Sequence, residues 1–144
     1  MHSQQPALAS SQDINTASRR LTCAALLATT IPLGLAWRFA PLHLPPFAYK
    51  YGGSALWAMG VYWLLALLLP LKRPVFLAIA AAAVSISVEA FKLFRKPAVD
   101  RFRETLAGKI LIGRYFTFGA IVAYLLAIGL VALLDARFRF GRSG

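Results

Sequence analysis

The chain has 144 residues, 59% of them hydrophobic, a formal net charge of +11 and a mean hydropathy of +0.64. That apolar content exceeds what a soluble domain of this size uses, so lipid is the expected solvent. The sixteen Lys and Arg residues are separated by apolar runs into loops and ends, which argues against a nucleic-acid partner and for anionic lipid headgroups.

Met1 to Ser18 is polar, rich in Ser and Gln and without periodicity, and residues 1–18 are expected to form a disordered tail. Four apolar runs follow: Leu21 to Trp37, Ala55 to Leu71, Val75 to Leu93 and Phe116 to Leu134. Each is near the ~20 residues that cross a ~30 Å hydrocarbon layer. The predicted fold is an all-α integral membrane protein, a bundle of four transmembrane helices over residues 19–137 with a basic tail at 138–144. Paired Arg19 and Arg20 before the first run have the form of a twin-arginine export signal, but the pattern expected after the arginines is missing, so a retained first helix is the expectation. The single cysteine, Cys23, lies inside this run, where it reads as a small buried helix residue.

Pro41, Pro45 and Pro46 stop the first helix and give a short extended loop. The second helix is expected to begin after Gly52 and Gly53 and to end at Pro70. The brief LKRP turn then forces helices two and three to lie antiparallel. The AIAAAAVSIS stretch of helix three offers small side chains for close approach of a neighbour. After Pro97, Val99, Phe102, Leu106 and Ile110 recur at spacings of three and four, with Asp100, Arg101, Arg103, Glu104 and Lys109 mostly elsewhere. This pattern predicts an amphipathic interfacial helix between the third and fourth spans.

An even number of spans places both termini on one side, with Arg19, Arg20, Lys72, Arg73, Arg137, Arg139 and Arg142. The other nine basic residues lie opposite, several of them in the amphipathic segment. Because the seven flank helix ends directly, the termini are expected in the cytoplasm.

Glu89 stands out as a carboxylate inside the apolar zone, about 6 to 8 Å from the end of helix three at ~1.5 Å per residue. A charge there must face protein or water and find a cation. Lys92, Arg38, Arg95, Arg103 and Arg114 are candidates on the same membrane side, and Asp100, Lys50, Tyr51 and Trp57 complete an expected polar pocket with an aromatic rim. Arginine forks suit phosphate and carboxylate alike, so this cluster reads either as a structural ion pair or as a headgroup site. With only His2 and His43, and no acidic cluster at ligand spacing, no metal or cofactor is expected.

The stretches KYGGSALWA from Lys50, VEAFKL through Glu89 and Leu93, and VDRFRETLAGKILIGRYF with Asp100, Arg103, Thr105, Gly108, Gly113 and Arg114 run in order with Ala123 and Tyr124. Together they resemble the bacterial family catalogued as domain of unknown function 2809, small membrane proteins distantly like the VanZ group. Ser54 and Ala120 stand where that pattern has Asp, and Lys92 where it has Gln. The resemblance implies a multi-spanning inner-membrane protein of the cell envelope, with no assigned activity. Beside it, the residues favour a lipid or headgroup-binding accessory protein, with Glu89, Arg103 and Arg114 at the headgroup. The alternatives are a small membrane enzyme on a lipid-linked phosphate substrate, with Glu89 as acid or base, and a structural subunit of a homo- or hetero-oligomeric membrane complex.

Overall fold

The computed structural model describes residues 5–41, 43–93, 97–111 and 117–140, and its regular elements are all helices. They are α1 (Gln5–Phe39), α2 (Pro46–Leu68), α3 (Pro74–Phe91), α4 (Pro97–Glu104), α5 (Leu106–Leu111) and α6 (Phe118–Phe140). Four stretches are long and apolar enough to cross a membrane: Asp13–Phe39, Pro46–Leu68, Pro74–Phe91 and Phe118–Arg139.

Helix starts follow proline chemistry. Pro46 and Pro74 open α2 and α3, where a missing N–H costs nothing and the fixed φ is already helical. The start of α2 therefore corrects the sequence expectation: Gly52 and Gly53 lie inside the helix, not before it. Gly52 serves close approach, since a Cβ there would lie 2.6 Å from Nε1 of Trp37 on α1. At the other end of the chain α6 runs on to Phe140, past the expected boundary at 137. Upstream, the polar stretch is helical from Gln5 onward.

α2 is central and packs against α1, α3 and α6, while α3 also packs against α6. Many buried positions are small: Ala58 and Ala66 on α2, Ala81 and Ser85 on α3, Ala120 and Ala127 on α6. Small side chains let backbones approach where lipid supplies no hydrophobic drive between helices. Leu77, Ala81, Ser85 and Glu89, each four residues apart, form the buried stripe of α3, in line with the close contact expected of its Ala-rich stretch. Large apolar side chains such as Ile79, Leu126 and Leu133 point outward, as a lipid-facing surface requires.

The segment expected to be one amphipathic helix is two short helices with a break at Thr105. The Thr105 hydroxyl accepts the Gly108 N–H at 3.1 Å, which makes Thr105 the N-cap of α5. Its own N–H and hydroxyl both donate to the Phe102 carbonyl, closing α4. Phe102 and Leu106 are exposed, and Arg103 is the buried residue of α4.

Candidate functional site

Glu89 is fully buried near the C-terminal end of α3. Its Oε1 accepts the Thr117 backbone N–H at 2.9 Å, and its Oε2 accepts the Tyr124 hydroxyl at 2.9 Å. Lys92, one turn on, pairs with the same Oε2. Thr117 immediately precedes α6, so the carboxylate also sits at a helix N-terminus, where the dipole favours negative charge. A carboxylate in the apolar zone is thus held by a cation, a hydroxyl and a backbone amide, and α3 is fastened to the start of α6.

Arg103 is turned to other partners. Its guanidinium donates to the Phe91 carbonyl at 2.9 Å and pairs with Asp100 at 3.2 Å, which ties α4 to the end of α3. Tyr51 lies on Gly119, where a Cβ would come within 2.6 Å of the ring Cζ, and Lys50 stands 5.8 Å above the same ring. Trp57 packs against Tyr124, with ring centroids 5.9 Å apart. Arg114 and Arg95 lie outside the described residues.

A half-open cavity of 540 Å³ lies over α2, between α1 and α3. Its walls are Leu27, Ile31 and Leu35 of α1, Val61 and Leu64 of α2, and Val84 and Val88 of α3, and its polar end carries Arg38, Ser54, Lys92 and Tyr124. The stretch from Leu27 to Arg38 is about 16 Å long at ~1.5 Å per residue, roughly half of a ~30 Å hydrocarbon layer. The groove is therefore one leaflet deep, apolar along its length and cationic at its mouth. Among the described residues the Arg38 guanidinium has no ion pair or hydrogen bond. Ser54 and Lys92 both line this groove.

The opposite end holds a second buried cluster that sequence reasoning missed. Asp135 of α6, 4% exposed, accepts both terminal nitrogens of Arg19 at 3.0 Å each and the Tyr62 hydroxyl at 2.8 Å. Arg139, one turn on, lies 3.6 Å away and donates to the Lys72 carbonyl. α1, α2 and α6 are joined there around one carboxylate. The available signal was an acid inside the last span with Arg139 four residues later, the spacing at which side chains meet on a helix. Neither cluster has the make-up of a metal site, and the described residues contain no group of three His, Cys, Asp or Glu able to hold one.

Four helices of this length and apolarity, with one buried carboxylate cluster near each end, define a protein of the helical membrane class. More particularly, the chain belongs to the family described as protein of unknown function (DUF2809), whose model matches residues 43–129. No curated protein and no solved structure matches it.

Proposed function

We propose that this protein binds a membrane lipid with an anionic headgroup, its acyl chain lying in the groove over α2 and its headgroup meeting Arg38 and Lys92. The observation that carries the reading is the pairing of an apolar slot one leaflet deep with two cations at its interfacial end. A soluble ligand has no use for the slot, and a lipid chain alone has no use for the cations. Ser54 adds a hydroxyl at the same end that can turn from the Lys50 carbonyl to a phosphate oxygen, while the Tyr124 hydroxyl stays with Glu89. The role is that of a lipid-binding accessory protein of the bacterial inner membrane, with both termini cytoplasmic and the groove mouth in the outer leaflet. α4 and α5, with Phe102 and Leu106 exposed, rest at that interface. Full burial, with both oxygens engaged by protein groups, keeps Glu89 from a substrate, which disfavours the enzymatic alternative.

The test is lipid retention by the purified chain in nanodiscs containing phosphatidylglycerol or phosphatidylcholine, read by native mass spectrometry. A cation near the headgroup contributes about 1 kcal/mol, so Arg38→Gln with Lys92→Gln should weaken phosphatidylglycerol retention about thirtyfold. Val61→Trp, which fills the groove, should weaken retention of both lipids. If all variants retain lipid as wild type does, the reading is wrong.

A further inference from the structure

We propose that Glu89 is the built-in competitor of the anionic headgroup for Lys92, so that the lipid binds by taking this ammonium from the carboxylate. The inference rests on the lipid-binding reading and deepens it by naming how that site is regulated. Lys92 and Tyr124 each do two things at once: both contact Oε2 of Glu89, and both line the mouth of the groove. They form the partition between a fully buried carboxylate and the cavity. Among the described residues, Arg38 faces that cavity without a partner, whereas Lys92 is already engaged.

An ammonium carries three donors on a flexible stem and can be redirected by rotamer change. Once Lys92 turns to a headgroup, Glu89 is not orphaned. Its Oε1 keeps the Thr117 N–H, its Oε2 keeps the Tyr124 hydroxyl, and the α6 N-terminus still faces it. The exchange therefore swaps one anion for another at Lys92 without leaving a buried charge bare, which is the costly outcome in such pairs. Because the carboxylate must be outcompeted, it lowers the affinity of the site for anions and leaves neutral lipids indifferent to it. Removing its charge should strengthen anion binding, the opposite of what a headgroup-contacting residue would show.

The experiment titrates the full-length chain in detergent with phosphatidylglycerol and, separately, phosphatidylcholine. Glu89→Gln should raise phosphatidylglycerol affinity about tenfold and leave phosphatidylcholine unchanged. In a Lys92→Gln background the same substitution should gain less than about threefold, since the effect runs through Lys92. Should Glu89→Gln fail to fold, isotope-labelled lysine in the wild-type chain still decides: the Lys92 Nζ resonance, assigned by Lys92→Arg, should move with phosphatidylglycerol and stay put with phosphatidylcholine. An unchanged or weakened affinity in folded Glu89→Gln, a full gain without Lys92, or a stationary Nζ resonance on binding overturns the competition. If instead wild type does not prefer phosphatidylglycerol and Val61→Trp binds as wild type does, the lipid reading itself has failed.

Discussion

Asp135→Asn is the sharpest perturbation of the bundle. Asp135 is nearly inaccessible and serves as the common acceptor for Arg19, Tyr62 and Arg139, which come from α1, α2 and α6 itself. Asparagine preserves the shape but removes the charge and points an amide donor at guanidinium donors. Each polar contact between helices in lipid averages about 0.6 kcal/mol, reaching about 1.7 kcal/mol. The larger effect is the loss of compensation for two arginines, and breaking a buried pair costs about 3 to 5 kcal/mol. With the Arg19 side chain 16% and the Arg139 side chain 28% exposed, solvent or headgroups recover part of that, which puts the expected loss near 3 kcal/mol. Helix content followed by circular dichroism during denaturation in mild detergent measures it. Arg19→Met with Asp135→Leu should be less destabilised than Asp135→Asn, because an apolar pair leaves one fewer charge to satisfy. Stability of Asp135→Asn within about 0.5 kcal/mol of wild type, or a double variant that loses the sum of its singles, would refute the reasoning.

Gly52→Ala should cost about 1 to 3 kcal/mol through overpacking, because its Cβ meets the Trp37 ring; an unchanged unfolding midpoint would show that Trp37 moves freely. Ser85→Ala should be neutral or stabilising by up to about 1 kcal/mol, since this fully buried hydroxyl has no hydrogen-bond partner among the described residues; a clear loss in the same unfolding assay would count against that. Arg103→Ala should speed amide exchange across 97–104, as the link to the Phe91 carbonyl is lost, while global unfolding moves little. Equal exchange rates in both proteins would mean that α4 is held by other contacts.

Elements were more legible than partners, for a physical reason. Span length and apolarity are local sums, so the four membrane-length helices follow from the runs themselves. Gly52 and Gly53 read as a helix boundary because glycine weakens an isolated helix, a bias that packing of Trp37 on the missing Cβ overrides. The break at Thr105 was written in the sequence as a hydroxyl three residues before Gly108, but no Glu or Gln followed to complete a capping box. Glu89 announced its need for a cation, and Lys92 at the third position supplied it locally. Tyr124, 35 residues away, and the amide of Thr117 were beyond any local pattern. Asp135 was obscured by Arg137 and Arg139, which made the end of the last span read as a basic tail. Its partner Arg19 is 116 residues distant and became visible only once α1 and α6 were placed together.

The two carboxylates also bear on how the groove opens. α1 packs along α2, and its ion-paired attachment to α6 is at the Asp135 end. At the groove mouth α1 is secured by smaller contacts: Trp37 donates to the Ala48 carbonyl at 3.3 Å and lies on Gly52, and Tyr49 donates to the Arg38 carbonyl. α3 is anchored at that same end by Glu89. Ion pairing fixes the α3 wall at the mouth and the α1 wall only at the far end, so α1 is the wall expected to swing, about a pivot at Asp135. Spin labels at Ile31 and Val84, which face the groove from α1 and α3, test this directly after Cys23→Ala. In wild type the distance distribution should be narrow and should shift when phosphatidylglycerol is added. Releasing the pivot with Asp135→Asn should broaden it even though the substitution lies at the far end of the bundle, whereas Glu89→Gln should broaden it less. An unaltered distribution in folded Asp135→Asn would mean that packing on α2 alone sets the position of α1, and that the pivot has no hold on the groove.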